Sequence, residues 1–180
     1  MEARFPIVPL GTKIAASLPN SSEDLVENAD SVTFCLSKGL AAPVGSVVCG
    51  GEKFIYQVRR NRKALGGGMR QAGILAAAGL LSLNLAESQL LEDHKNAKLL
   101  AEGIAQINGL TIDEKKVQTN IIYFGLNSPK LTGSQLVSKM EDLGIKFFET
   151  SSNRFRLVTH YGITRDDIEK TLEVLDKMVN

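Results

Sequence analysis

The segment over residues 31–49 constrains the fold more than any other part of the chain. Its first six residues are rich in Val, Thr, Phe and Cys, which predicts a β-strand over 31–36. Lys38-Gly39 interrupts this strand, and a proline and a glycine within 43–45 predict a turn before a second apolar strand over 46–49. A chain that folds in this way places a lysine at the end of an apolar strand, although lysine normally seeks water.

Lys38 is a candidate for chemistry because of this position. Burial at the end of a strand would favour the neutral amine, which is the form that attacks a carbonyl group to make a Schiff base. The nearby glycines would let the backbone approach a flat ring closely. The alternative is a lysine that reaches solvent from the strand end, and this feature alone favours that alternative.

A run of three glycines, Gly66-Gly67-Gly68, is the second candidate feature, and Arg70 follows it closely. Glycines before a helix start can turn backbone N–H groups and the helix N-terminus toward an anion. Arg70 would add a planar fork of two donors that suits a phosphate group. The alternative is a flexible turn between two helices that carries a solvated arginine.

Two helices are predicted on either side of these glycines. The first begins at Glu52, with apolar residues at helical spacing on one face and four basic residues within 59–63 on the other. This basic face has no interleaved aromatic residues, so we expect a solvated helix face rather than a nucleic-acid patch. The second helix is predicted from about residue 70 to residue 108, with a break near residues 85–88.

The remainder of the chain alternates short strands with amphipathic helices, which suggests a small α+β layer with a helix pair on one face of a sheet. The pattern predicts strand 117–124, helix 133–143, strand 145–149, strand 155–159 and helix 165–179. We place the division between two domains inside the long helix, as 1–100 and 101–180.

The strand near residue 156 carries the third candidate feature. Strand alternation puts Arg154, Arg156 and Val158 on one face, and Phe155 with Leu157 on the other. A buried arginine in such a strand would need a carboxylate partner. The alternative is an edge-strand arginine that lies in water.

Composition and charge exclude several classes of function. An apolar share of 43% with a charged share of 23% is typical of a soluble globular protein. The net charge of +1 argues against broad attraction to nucleic acid or to an anionic membrane. No apolar run reaches the length of about eighteen residues that a membrane span needs, and the first thirty residues lack a signal-peptide pattern. We therefore expect a cytoplasmic protein with no nucleic-acid or membrane partner.

The cysteines and histidines do not form a recognisable site in the sequence. Cys35 and Cys49 lack the short paired spacing of a metal site, and we expect two buried thiols in a reducing compartment. His94 and His160 are far apart and show neither triad nor metal-ligand spacing, and His94 is predicted to lie on the surface. No metal site is expected.

Three segments, in this order, resemble the family of low-specificity threonine aldolases over about residues 22–180. The first is Phe-Cys-Leu-Ser-Lys-Gly-Leu-Ala-Ala-Pro-Val-Gly-Ser over 34–46, which is similar to the lysine segment of that family. The second is Leu-Gly-Gly-Gly-Met-Arg-Gln-Ala-Gly over 65–73, which is similar to its glycine-rich phosphate segment. The third is Arg-Leu-Val-Thr-His over 156–160, which is similar to its carboxylate-binding strand.

The resemblance implies an α/β fold, in which the C-terminal part of the large domain of a fold-type-I pyridoxal-phosphate enzyme is followed by a small α+β domain. It implies pyridoxal 5′-phosphate as cofactor, and a β-hydroxy-α-amino acid such as threonine as substrate, cleaved to glycine and an aldehyde. It implies a homo-oligomer. By resemblance, the cofactor is held by Lys38, which forms the Schiff base, and by Gly67, Gly68 and Arg70. The substrate carboxylate is bound by Arg156 and Arg4.

The chain departs from the family pattern before Lys38. Family members have an Asp-Gly-Ala-Arg segment there, whose aspartate pairs with the pyridine nitrogen of the cofactor. This chain opens Met1-Glu2-Ala3-Arg4, and no aspartate precedes Asp24. Two expectations follow. The chain is either a working lyase, or a truncated or degenerate family member that acts at most as a subunit or partner of a full-length paralogue.

Overall fold

The computed structural model describes residues 26–180. Its internal contacts divide the chain into two compact units, 1–90 and 91–180, so the division falls inside the same long helix in which the sequence placed it at residue 100. Arg4, which the resemblance assigns to the substrate carboxylate, lies outside the described residues. Each unit is described separately below.

The first unit contains a two-stranded antiparallel sheet. Strand β1 (Ser31–Cys35) pairs with β2 (Ser46–Gly50) in a register that sets Ser31 opposite Gly50 and Cys35 opposite Ser46. Both predicted strands are confirmed to within one residue at each end. Their β-branched and aromatic side chains fit a pleated surface, and Gly45, with a φ of 120°, makes the return before β2.

Helix α1 (Glu52–Ala64) follows β2 directly and begins where the sequence predicted. Its apolar face is half-buried and its basic residues over 59–63 are exposed, so the prediction of a solvated basic face is confirmed. The helix ends in a Schellman motif, in which Gly66 N–H donates to Lys63 O at 3.2 Å and Gly67 N–H donates to Arg62 O at 2.8 Å. Gly66 adopts a φ of 83°, which only glycine tolerates without strain.

Helix α2 (Gly73–Gln106) is continuous, so the predicted break near residues 85–88 is wrong. The serines in this region do not interrupt it, because Ser82 Oγ donates back to Ala78 O at 2.9 Å and Ser88 Oγ donates back to Leu85 O at 3.1 Å. Neither hydroxyl then competes for the helical N–H groups. The helix contains no proline.

The length and apolar composition of α2 also fit a helix that crosses a membrane, a possibility that the sequence analysis had set aside on run length. One such helix is weak evidence of a membrane segment, because the core helix of a soluble protein passes the same test. Only 11% of its most apolar 18-residue window is buried within this chain. The consequence is a large apolar surface on α2.

The second unit contains a four-stranded antiparallel sheet in the order β3-β4-β6-β5, and two helices and the C-terminal part of α2 share its apolar core. Its elements are β3 (Leu110–Thr111), a 3₁₀ turn (Glu114–Lys116), β4 (Ile121–Leu126), α3 (Gly133–Asp142), β5 (Phe148–Ser151), β6 (Arg154–Val158) and α4 (Arg165–Val179). The predicted helices are confirmed. Strand β4 begins later than predicted because Val117 N–H donates to Glu114 O and Gln118 N–H donates to Lys116 O, both at 3.1 Å, so these amides bond to the 3₁₀ turn rather than to a neighbouring strand. Strand β5 is shifted toward its C-terminal end.

One face of this sheet is buried and the other is open, as strand alternation predicts. Phe155 and Leu157 of β6 are buried, whereas Arg154 is exposed and Arg156 is half-buried on the opposite face. Phe155 packs edge-on against Phe147, with ring centroids 5.6 Å apart and an interplanar angle of 83°. The buried face, α3, α4 and the C-terminal part of α2 form the core of this unit, which leaves the arginine face open to solvent.

Candidate functional site

Lys38 lies on the outside of a tight turn between β1 and β2. Ala41 N–H donates to Lys38 O at 2.9 Å, and Ala42 N–H donates to Leu36 O at 3.0 Å, so the turn is closed by its own backbone. Gly39 is buried on the inner side of the turn, and the side chain of Lys38 is exposed. The alternative that this feature favoured, a lysine that reaches solvent from the strand end, is therefore confirmed, and burial of the amine is not found. The amine is open to a carbonyl compound from solvent.

Leu36 fastens this turn to α2. Its side chain is 8% exposed and belongs to a small apolar cluster with Leu40, Ala42 and Leu90. A Cβ added at Gly79 would lie 3.0 Å from Leu36 Cδ1, so the absence of a side chain at Gly79 lets the helix approach. Because Gly79 lies six residues after Gly73, this contact is about 9 Å along the helix from its N-terminus.

The glycine segment before α2 has two roles in the backbone. The N–H of Gly67 already donates to Arg62 O, so a phosphate bound through this amide would compete with the cap of α1. Gly68 makes room for the side chain of Lys63, since a Cβ at Gly68 would lie 2.6 Å from Lys63 Cδ. Arg70 is exposed. Arg70 lies two residues after Gly68 and shortly before α2 begins at Gly73. Its guanidinium is therefore well placed to bind an anion at this segment.

Arg156 of the second unit lies in a row of three residues across the open face of the sheet. Tyr123 of β4 and Phe148 of β5 lie directly opposite it on either side. Arg156 Cζ lies 6.0 Å from the centroid of the Phe148 ring. An open cavity of about 530 Å³ lies on the same sheet and is lined in part by Tyr123 and Arg154.

The sequence-predicted residues therefore fall into three groups. Lys38, Gly67, Gly68 and Arg70 belong to the first unit, Arg156 belongs to the second, and Arg4 lies outside the described residues. Sequence analysis missed Gly79, Tyr123 and Phe148. The period-two pattern of β4 would have put Tyr123 on the polar face, but the pairing with Arg156 depends on strand register.

The two cysteines and His94 differ in their burial from what the sequence predicted. Cys35 and Cys49 are free thiols as expected, but Cys49 is exposed and Cys35 is half-buried, because β2 leaves most of one face uncovered. His94 is half-buried rather than on the surface, since it lies on α2 where the helix enters the second core. Within residues 26–180, no group of three or more His, Cys, Asp and Glu side chains is placed to hold a metal ion.

Comparison with known proteins identifies the family. A family model described as beta-eliminating lyase matches residues 12–126, which is more than half of the chain. The chain belongs to the beta-eliminating lyase family. The matched range contains Lys38, Gly67, Gly68 and Arg70, whereas Arg156 lies beyond it.

Named relatives of this beta-eliminating lyase chain are similar over most of its length. Low-specificity L-threonine aldolase 1 of Arabidopsis thaliana is 46% identical over 149 residues, covering 82% of this chain and 42% of the Arabidopsis protein. The chain therefore spans less than half the length of this relative. The resemblance to threonine aldolases is confirmed by this similarity.

Solved structures confirm the predicted α/β fold over part of the lyase. A putative aromatic amino acid beta-eliminating lyase/threonine aldolase from Exiguobacterium sp. 255-15 superposes with a TM-score of 0.77 at 13% identity, covering 96% of this chain and 51% of that chain. A mutant of the cystine C–S lyase C-DES, with glycine covalently linked to its pyridoxal-phosphate cofactor, gives 0.62 at 18% identity, covering 91% and 49%. The fold is that of the fold-type-I enzymes.

Proposed function

We propose that this chain provides the C-terminal part of a pyridoxal-phosphate-dependent lyase that cleaves threonine or allo-threonine to glycine and acetaldehyde. The observation that carries the proposal is the beta-eliminating lyase match, which spans both the Lys38 turn and the glycine segment. The relative from Arabidopsis, a low-specificity threonine aldolase by name, supports the substrate class. Homo-oligomerisation and a cytoplasmic location are part of the same proposal.

The described residues fit this cofactor. Pyridoxal phosphate presents an aldehyde and a phosphate group, which need an accessible amine and an anion-binding segment. The exposed amine of Lys38 meets the first need. The exposed guanidinium of Arg70 meets the second, and Gly68 lets the Lys63 side chain lie beside the backbone of the same segment. Gly67 contributes by capping α1 rather than through its own amide.

The residues of this chain have distinct roles in the proposed reaction. Lys38 would hold the cofactor through its amine, Arg70 would bind the cofactor phosphate, and Arg156 would orient the substrate by its carboxylate. The Cα–Cβ bond breaks, the β-hydroxyl loses its proton as the aldehyde C=O forms, and Cα takes up a proton to give glycine. When bound, the cofactor ring would accept the electron pair that this cleavage leaves on Cα.

The test is cofactor capture by the purified full chain. Mixed with pyridoxal phosphate, the chain should develop a visible absorption band that borohydride abolishes, and mass spectrometry should then find the reduced cofactor on Lys38. Lys38→Ala should lose this product, whereas Lys53→Ala, at another exposed lysine of the same unit, should retain it. If Lys38→Ala labels as strongly as the unsubstituted chain, the proposed site is wrong. Glycine release from threonine is measured on the same samples.

A second candidate function is that of a catalytically impaired subunit. It is favoured by the apolar surface of α2, where Ile74 is 81% exposed and Leu81 is 61% exposed. Such a chain would pair with a full-length paralogue. Co-expression with a tagged full-length threonine aldolase should then recover a defined heteromer by size-exclusion chromatography, and two separate homomeric species would contradict it.

A further inference from the structure

Arg156 has an uncommon environment for an arginine on an open sheet. Its neighbours across the two adjacent strands are both aromatic, Tyr123 on β4 and Phe148 on β5. Residues directly opposite each other on antiparallel strands have Cβ atoms about 5 Å apart, so the arginine stem lies between two rings. Tyr123 is 49% exposed and Phe148 is 68% exposed, which shows that neither ring serves the core.

The guanidinium of Arg156 also carries an unsatisfied donor. Its Nε is buried and has no hydrogen-bond partner among residues 26–180. A buried donor of a charged group that has no acceptor raises the free energy of the folded state, and such groups are uncommon in folded proteins. A carboxylate supplies two acceptor oxygens in the plane of a guanidinium, which matches the need of this side chain.

We infer that Tyr123 and Phe148 are positioning residues, which hold the guanidinium plane of Arg156 so that Nε–H faces the carboxylate of an amino-acid ligand. The inference rests on the proposed role of Arg156 in binding the substrate carboxylate. Phe148 acts through cation–π stacking, since Arg156 Cζ lies 6.0 Å from its ring centroid. Tyr123, directly opposite Arg156 on β4, restricts the conformations of the arginine side chain and lines the open cavity.

The inference differs from simple packing in what it predicts for Phe148. Because this side chain is mostly exposed, its replacement should leave the fold intact, and the inference predicts that its effect on ligand binding acts through Arg156. An exposed cation–π contact corresponds to a change of about two- to fivefold in a binding constant. Phe148→Tyr keeps an aromatic ring and should retain ligand affinity, whereas Phe148→Leu keeps apolar bulk and should weaken binding about two- to fivefold.

The test is an NMR titration of the full chain, with ¹⁵N–¹H signals of the arginine Nε groups as the readout. The signal of Arg156 is assigned by its absence in Arg156→Lys, and glycine is the carboxylate probe. We expect this signal to shift with glycine, and the dissociation constant to rise about two- to fivefold in Phe148→Ala and Phe148→Leu but not in Phe148→Tyr. Tyr161→Ala, at an exposed aromatic residue outside this row, is the control.

Two other outcomes would overturn the inference in different ways. Equal glycine affinity in all Phe148 variants would show that the rings do not position Arg156, and would leave its carboxylate role standing. A signal that glycine does not shift in any variant would refute the carboxylate role and the inference with it. The same titration is repeated with Lys38→Ala, which cannot bind the cofactor covalently at residue 38. Glycine binding at Arg156 is thereby measured independently of cofactor capture, so failure of one test is distinguished from failure of the other.

Discussion

Asn120 and Thr159 are joined by two hydrogen bonds that run in opposite directions. Asn120 Nδ2 donates to Thr159 O at 2.5 Å, and Thr159 N–H donates to Asn120 O at 3.0 Å. Thr159 Oγ1 also donates to Asp93 O of α2 at 2.6 Å. Both Asn120 and Thr159 are 2% exposed, so these hydrogen bonds are buried. The first two join the start of β4 to the end of β6, and the third joins the end of β6 to α2; together they are called the tie below. Arg156 lies three residues before this tie.

Removal of the Asn120 amide should therefore destabilise the second unit. Asn120→Ala leaves the buried Thr159 carbonyl without this donor, which costs about 1–3 kcal/mol. Urea unfolding of the full chain, followed by circular dichroism, measures the change. Asn127→Ala, at an exposed position directly after β4, should change the free energy of unfolding by less than about 0.5 kcal/mol. Equal stability of the two variants would contradict the structural role of the tie.

The glycines after α1 give a second prediction, because they differ in backbone conformation. Gly66→Ala should destabilise the chain by about 1 kcal/mol, since its φ of 83° is unfavourable for alanine although open space surrounds the position. Gly73→Ala, at the first residue of α2 and also in open space, should be neutral or slightly stabilising. Thermal unfolding of both variants makes the comparison. A Gly66→Ala chain as stable as Gly73→Ala would refute the Schellman motif.

The elements of the fold that local sequence specifies were the ones predicted best. Helix α4 begins and ends as predicted, since Thr164 and Asp167 form a capping box at its start. The start of β4 was predicted too early, because Val117 to Asn120 were assigned to the strand from their sequence. The 3₁₀ turn that directly precedes these residues was not predicted, and the strand begins only after them.

The candidate site was predictable in part. Lys38 and Arg70 stand out by residue type and neighbours, but a glycine run predicts an anion loop and a helix cap equally well. The hydrogen bonds of Gly66 and Gly67 show that a cap is present. The pairing of Tyr123 and Phe148 with Arg156 depends on register between strands that are distant in sequence, which local patterns do not contain.

The capping box of α4 predicts a pH dependence. Asp167 Oδ2 accepts hydrogen bonds from Thr164 Oγ1 at 2.7 Å and from Thr164 N–H at 2.9 Å, and these bonds hold the pKa of Asp167 below its usual value. Because the folded pKa is lowered, the stabilisation is present above the unfolded pKa of about 3.9 and is lost as pH falls through the folded pKa.

Asp167→Asn should accordingly be less stable than the unsubstituted chain at neutral pH, and the two should converge as pH falls below about 4. Urea midpoints measured from pH 7 to pH 3 give this comparison. Asp166→Asn removes the same charge from the same helical turn without affecting the cap, and should show a smaller difference at neutral pH. A stability difference for Asp167→Asn that stays constant across this range would contradict the prediction.

The apolar surface of α2 gives the last prediction. Ile74, Leu81 and Leu85 are 81%, 61% and 48% exposed, and their spacing puts them on one stripe of the helix. A helix with such a stripe in water is normally covered, so the full chain should self-associate. Leu81→Lys with Leu85→Lys should lower the sedimentation coefficient toward that of a monomer, because two charges then lie in the contact. Asn84→Lys adds charge on the same helix without removing apolar surface, and should leave the association in place. If the unsubstituted chain sediments as a monodisperse monomer at micromolar concentration, the stripe is not an association surface.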